Sequence, residues 1–425
     1  MPELENDLEL LFDKLWPLCR SITGEGLRNS FKILQEIIPL KLTEVPTGTK
    51  VFDWEIPKEW NINEAYIITP DGKKICDFKL NNLHVLNYSQ PINKEIEYCE
   101  LEKHLYSLPN LPNAIPYVTS YYDVDWGFCI THNEREKLKK EGKFKVFIDS
   151  TLKKGSLTYG DLVLKGNSNK EILFSSYLCH PSMANNELSG PLCLAFLYKK
   201  IKAIKNRKYT YRFVIAPETI GTIAYLSMYG NYLKENIIAG FVMTCCGDQA
   251  PFIYKMSKHE NSLGDLAAKH ILKHQDIPYK IIPFSVGGSD ERQYCSPGFN
   301  LPVGSLTRSM YLEYKEYHTS LDNKNFISFS SMRKSVETYL NIVKVIELNE
   351  KYYSKIQFCE PQLGKRGIYP NKNTPNYDRS LTHRLLHFLT YSDGEKTLIE
   401  IAEKRKECVL KYAQIIELCK SNDLI

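Results

Sequence analysis

The twenty residues from Glu171 to Gly190, EILFSSYLCHPSMANNELSG, constrain the fold of this chain more than any other stretch. They open on an apolar run, Ile172 to Leu178, with the composition of a buried strand. The run stops at His180-Pro181, because proline cannot continue a central strand ladder. A short polar loop follows, and Leu188-Ser189-Gly190 leads into a second apolar run, Pro191 to Ile201, long enough for a helix. Open α/β sheets bind ligands at the carboxyl ends of their strands. His180 falls at that position, where a neutral imidazole can hold a metal ion. Taken alone, the stretch fits an ordinary core histidine as well, so the other segments decide.

The same texture recurs along the chain. Strands are expected at Lys145–Ile148, Ile172–Leu178, Tyr211–Ile215, Ile238–Thr244 and Lys280–Phe284, and helices at Pro191–Ile204, Ile223–Leu233, Leu263–His274 and Ser330–Leu348. This alternation predicts an α/β sheet with helices on both faces. Residues 1–41 read as helical, from Leu8, Leu11, Phe12 and Leu15 to Phe31 and Leu34, with a polar, glycine-bearing break at Cys19–Gly26. Residues 42–142 are richer in proline, tyrosine and short β-type runs. Ala65–Thr69 and Leu83–Leu86 flank a Pro70-Asp71-Gly72 turn, a hairpin signal. His84, His104 and His132 have no ligand-like spacing and read as structural. Glu360–Arg379, with Pro361, Pro370 and Pro375, reads as an irregular linker, and three helix-length segments follow it, with a turn at Ser392-Asp393-Gly394 between the first two. The expected division is an α/β domain from 1–41 and 143–355, an inserted β-rich domain at 42–142, and a small winged-helix-like module at 356–425. A length of 425 residues agrees with more than one domain.

Charge excludes some roles. With 55 basic and 50 acidic residues the net charge is only +5, too little to predict nucleic acid as a partner. The last helix, Glu407–Lys420, sets Lys411 and Lys420 against Glu407 and Glu417, whereas DNA affinity needs clustered positive charge. Its apolar residues fit packing or a homodimer contact. No apolar run approaches the ~20 residues of a membrane span. An acidic start and twelve scattered cysteines without a C-x-x-C pair lead us to expect a cytoplasmic protein with reduced thiols.

Polar groups stand just past the strand ends. After His180 come Pro217-Glu218-Thr219, then Gly247-Asp248, then Gly288-Ser289-Asp290-Glu291-Arg292, then Glu316-Tyr317-His318-Thr319-Ser320-Leu321-Asp322. Two histidines and several acids meeting on one edge of one sheet suit a metal-assisted hydrolase. The order HP…AN-N-x-L-S-G, P-E-T-x-G, G-D, S-D, Y-H-T-S-x-D resembles the zinc aminopeptidases of the two-zinc exopeptidase fold. CRSITGEGLR, EVPTGTKVFDWEIPKEWNI, LHVLNYSQP, SDERQYCSPGFNLPVG and EPQLGKRGIYP more closely resemble bacterial aminopeptidase-like proteins encoded among polysaccharide-biosynthesis genes, from about residue 15 onward.

The resemblance implies a peptidase fold with a β-rich insertion and a terminal winged helix. It makes Glu218 the general base, His318 the last metal ligand, and Asp248 the counterpart of an acid on the first metal. It also exposes two departures. Asn186 stands where a metal-bridging aspartate is usual, and Thr219 where a carboxylate binds the second metal. Two adjacent dications need anionic ligands, so one ion is expected, zinc, held by His180, His318 and one of Asp248, Asn186 or Glu187. Ser289, Asp290, Glu291 and Arg292 are expected to line the pocket, with an acid for a substrate amino group, and Tyr317 to brace the reacting centre. The substrate is a small peptide or an aminoacyl or N-acyl group on a sugar precursor. The competing reading, supported by Asn186 and Thr219, is an inactive binding protein.

Overall fold

A computed structural model describes residues 2–368 and 379–425; the linker prolines Pro370 and Pro375 lie outside the described residues. Eight strands form the large sheet: β1 (Lys41–Pro46), β2 (Ser156–Leu164), β3 (Glu171–Tyr177), β4 (Thr210–Ala216), β5 (Ile237–Val242), β6 (Phe252–Lys255), β7 (Tyr279–Ile282) and β8 (Val303–Thr307). Their order is β1-β2-β4-β3-β5-β8-β6-β7. The four central strands β4, β3, β5 and β8 are parallel, so Ala216, Tyr177, Val242 and Thr307 end on one edge. Every residue of β3 and β4 is buried, which is why both read as near-continuous apolar runs.

The helices of this part are α1 (Pro2–Leu15), α2 (Glu25–Leu34), α3 (Ser189–Lys202), α4 (Ile220–Asn236), α5 (Leu263–His274) and α6 (Phe329–Leu348). Successive strand side chains alternate between the two faces. Phe174, Phe213 and Phe241 join a core with residues of α1, α2, α3, α5 and α6. Their neighbours Leu173, Val214 and Val242 join the opposite core, with α4 and the insertion. Phe174 stacks on Phe213 and Phe241 at 5.8 and 5.6 Å, so Phe174→Ala should cost about 3–5 kcal/mol in denaturant unfolding.

A second sheet of four antiparallel strands contains Lys74–Ile75, Glu59–Ile68, Lys143–Lys153 and Ile92–Glu97, in that order. The strand expected at Lys145–Ile148 therefore belongs to this sheet, while Lys41–Pro46 pairs with β2 of the large one. The Pro70–Gly72 turn forms, with Gly72 at φ 82°, but its second strand is short and residues 82–84 make a 3-10 turn. The strand expected at Lys280–Phe284 also differs. β7 pairs parallel with β6, which runs antiparallel to β8, so Ser289–Arg292 do not leave the sheet at the carboxyl edge of the central strands. Hydrophobic periodicity carries no direction, so the sequence could not show this.

The C-terminal part holds α7 (Arg379–Tyr391), α8 (Leu398–Lys404) and α9 (Ala413–Ser421), with a strand at Asp393–Thr397 that pairs with Lys351–Tyr353. A Thr397–Glu400 capping box starts α8. Phe388, Ile401, Ile415 and Ile416 are buried in the same core as α6, so the module is docked on the sheet's helical layer. Glu403 of α8 reaches α5, accepting from His270 at 2.7 Å and His274 at 3.1 Å, with Lys273 beside it. Among the described residues no helix is long and apolar enough to cross a membrane.

Candidate metal centre

The loops after β3, β4, β5 and β8 carry the site. Each contains a non-glycine residue at positive φ: Ser182 (49°), Thr219 (64°), Cys245 (47°) and His318 (51°). Such backbone costs of order 1–3 kcal/mol per residue and persists only where the surroundings hold it. After β3, Ala184–Leu188 form a wide π-type turn, with Leu188 N–H bonded to Met183 O, before α3 begins. A Cβ on Gly190 would lie 2.3 Å from Met243 O, so the LSG signature lets α3 press directly on the strand ends.

The wide turn places Asn185, Asn186 and Glu187 inside the protein, where each polar group needs a partner. Glu187 Oε2 lies 2.8 Å from His180 Nδ1, and its other oxygen accepts the Cys179 N–H. Arg20, fully buried from the N-terminal break, stands 3.7 Å away and also donates to His180 O at 3.1 Å. Burial raises the Glu187 carboxyl, while Arg20 and the two N–H groups oppose the rise; the ionised carboxylate is the form that these donors fit. Glu187 thus holds Nδ1 and leaves Nε2 facing the cleft, 3.6 Å from Glu218 Oε2. A carboxylate behind a histidine in this way is the usual support of a metal ligand. Burial drives both His180 and His318 down to about 3, so both imidazoles are neutral at ordinary pH.

His318 Nε2 faces Asn186 Oδ1 at 3.2 Å, and the two histidine rings are 5.2 Å apart. Asn186 Nδ2 donates to Tyr177 at 2.9 Å, which leaves Oδ1 for the cleft. Asp322 accepts the main-chain N–H groups of Asn185 (2.6 Å) and Asn186 (2.9 Å) and so fixes the turn. Tyr317 stacks on the His318 ring at 3.9 Å. Tyr117 of the insertion lies 5.1 Å from His180 and 5.2 Å from His318, and its N–H donates to His318 O at 2.9 Å. Asp322, Tyr177 and Tyr117 had no role in the sequence reading. Asp322 closes the Y-H-T-S-x-D signature, but nothing in that signature points to Tyr117, two hundred residues upstream.

The other expected residues separate. Glu218 opens α4 with a side chain one quarter exposed, and burial together with the Asp290 carboxyl raises it to about 8. Asp290 is buried and bonds the Thr219 N–H at 2.8 Å. Glu291 does not reach the cleft: it is wholly buried in an ion pair with Lys255 and cannot meet a substrate amino group. Arg292 does reach Thr219, donating to Oγ1 at 3.1 Å. Asp248 is not with the histidines. Its carboxylate accepts from Asn185 Nδ2 (2.7 Å), Ala250 N (2.7 Å) and Ser309 N (3.1 Å), bonds that give it a structural role. Glu187 is taken by His180, as described. Of Asp248, Asn186 and Glu187, Glu187 meets a histidine on the Nδ1 side, and Asn186 places its oxygen beside the Nε2 of His318.

By its chemistry the donor set suits at most one dication. Ligands at 2.0–2.1 Å in a tetrahedron lie about 3.3 Å from each other, close to the 3.2 Å between His318 Nε2 and Asn186 Oδ1. Two neutral imidazoles and one amide oxygen cannot offset a second dication, and a guanidinium stands at Thr219. Within this region Cys179, His180 and Glu187 also bring ligand atoms within 4.8 Å of one another, but on the Nδ1 side, against the Arg20 charge.

Residues 9–349 match the family model described as a domain of unknown function, DUF4910, and residues 351–425 match a winged helix-turn-helix model. A Clostridium acetobutylicum protein assigned to polysaccharide biosynthesis, with an aminopeptidase-like domain, is 44% identical over 402 residues, covering 95% of this chain and 92% of that protein. A crystal structure from C. acetobutylicum, described as a peptidase, superposes with a TM-score of 0.92 at 41% identity, covering 99% and 96% of the two chains. The zinc aminopeptidase of Bacillus subtilis superposes at 0.54 with 11% identity, covering 79% of this chain and 94% of that one, a likeness of fold alone. The fold is aminopeptidase-like, and the chain belongs to the DUF4910 family, with the winged helix-turn-helix module at its end.

Proposed function

We propose that this chain is a zinc-dependent hydrolase that cleaves an amide bond, with one ion held by His180, His318 and Asn186. The observation that carries the reading is the arrangement at the sheet edge: His180 Nε2 with Glu218 Oε2 at 3.6 Å, and His318 Nε2 with Asn186 Oδ1 at 3.2 Å. A bound zinc ion supplies Lewis-acid polarisation and lowers the pKa of water. In the ionised form that a neighbouring dication would favour, Glu218 Oε2 accepts the proton of the attacking water and passes it to the leaving amine. Glu187 keeps His180 in the tautomer whose Nε2 is free, and Tyr317 holds the His318 ring by stacking. The relative's assignment to polysaccharide biosynthesis supports an aminoacyl or N-acyl group on a sugar precursor, beside a small peptide, as substrate. The cysteines are free thiols, which fits a cytoplasmic location.

Metal analysis of the protein purified with zinc present tests the reading; one tight equivalent is expected, lost on His180→Ala and His318→Ala. No tight zinc, or two equivalents, would refute it. The neutral groups at Asn186 and Thr219 favour a second reading, a binding protein without turnover. A screen of aminoacyl and N-acyl-sugar amides, with and without zinc, separates the two.

A further inference from the structure

The aminopeptidases that the sequence resembles place a carboxylate for their second metal at the position of Thr219. In this chain the Thr219 hydroxyl accepts from Arg292 Nη2 at 3.1 Å, and the Thr219 main chain is pinned at φ 64° by the Asp290 carboxylate. A guanidinium and a dication repel and cannot share one hydroxyl. The second positive charge of this cleft is therefore part of the chain.

Arg292 is also unlike the other enclosed cations. Arg20 faces Glu187, Arg212 is paired with Glu171 at 2.6 Å, and Lys255 is paired with Glu291. Arg308 donates from each of its three nitrogens, to Ser335 Oγ, Ala250 O and Ser331 O. Among the described residues no carboxylate lies within 4.0 Å of the half-buried Arg292 side chain, and the Thr219 hydroxyl is the one acceptor that it meets. A guanidinium has five N–H donors in a rigid fork, so most remain for a ligand. That fork matches the paired oxygens of a carboxylate or phosphate. Burial raises both Glu218 and Asp290, and the Arg292 charge opposes each rise, so the guanidinium lies near the proposed base without pairing to either acid.

We infer that Arg292, oriented by Thr219, binds an anionic group, carboxylate or phosphate, carried by the substrate next to its amide. The inference rests on the hydrolase reading for what is cleaved, but its test is binding and needs no turnover. Affinities of the full chain, with zinc, are measured by calorimetry for two pairs that each set an anion against its neutral counterpart: hippurate against hippuramide, and N-acetylglucosamine 1-phosphate against N-acetylglucosamine. At least one acid is expected to bind about tenfold to a hundredfold tighter than its neutral partner, and the pair that discriminates tells carboxylate from phosphate. Arg292→Gln should bring that ratio close to one while its zinc content stays at the wild-type value, and Arg292→Lys should restore part of it. Equal affinity for acid and neutral members, failure of both acids to bind, or a preference that survives Arg292→Gln overturns the inference. Zinc binding and turnover with no charge preference would sink this inference alone. A charge preference without zinc or turnover would sink the hydrolase reading alone.

Discussion

Two clusters in this molecule contain the same residue types and do different work. At the sheet edge, His180 and Glu187 meet beside Arg20; between α5 and α8, His270 and His274 meet Glu403 beside Lys273. With Cys179 added, the first brings three ligand atoms within 4.8 Å of one another, as His270, His274 and Glu403 do in the second. The difference lies in what remains unbonded. Glu187 holds one nitrogen of His180 and leaves the other facing the cleft. His270 has both nitrogens engaged: Nδ1 with Glu403 at 2.7 Å, and Nε2 as acceptor of the Val409 N–H at 2.9 Å. That N–H fixes the proton on Nδ1, where a metal would have to bind, and Lys273 already supplies the charge that Glu403 needs. The first cluster keeps one ring nitrogen open to the cleft, as the proposed zinc site needs, and the second is a clasp between the sheet domain and the winged helix. A free lone pair, more than a list of histidines and acids, marks a metal site.

Several measurements would break or sharpen this contrast. Glu218→Gln should lower turnover about a hundredfold to ten-thousandfold while zinc content stays constant; unchanged turnover removes Glu218 from the chemistry. Glu187→Gln should weaken zinc binding about tenfold to a hundredfold, by loss of support behind His180, and should also lower stability because Arg20 is left buried without a carboxylate. If zinc affinity does not move, the two clusters do not differ as argued. Glu403→Gln should leave zinc binding untouched and cost about 1.5–3 kcal/mol in unfolding, the range for a hydrogen bond to a charged group. A zinc equivalent lost with Glu403 would make the clasp a metal site after all.

The clasp should also yield to acid. Burial acts to raise Glu403, but hydrogen bonds from Lys273, His274 and His270 outweigh it and hold the carboxyl down to about 2. Burial, then the neighbouring His274, lower His270 below its ordinary 6.5. In both cases the unfolded chain binds more protons than the folded one, so stability falls as pH falls. The loss should begin below 6.5 with His270 and continue through 4.5 toward about 2 with Glu403. Thermal unfolding of the wild type and Glu403→Gln across that range checks the sign; the variant should lose less in the lower part.

Much of this was legible in the sequence, for physical reasons. β3, β4 and β5 are buried on both faces and announce themselves as apolar runs, and His180, Glu218 and His318 stand just beyond apolar or signature segments. β8, VGSLT, has two aliphatic residues among small and polar ones, and β2 is interrupted by Gly160 and Asp161, so neither stood out. Asp248 and Glu291 read as cleft acids because sequence does not show what each one meets. Asn185 stands sixty-three residues before Asp248 and Lys255 thirty-six before Glu291. Thr219 and Arg292 were both singled out, one as a loss and one as a wall residue. Their contact across seventy-three positions turns the two into one feature.

The main-chain bond from Tyr117 to His318, with the bridge between Pro116 and Thr319 beside it, joins two segments that lie two hundred residues apart in the chain. The insertion therefore splints the loop that carries His318, whose own backbone is left-handed. Excising the residues around Tyr117 would take that splint away, so the insertion is not a separable ornament of the sheet domain.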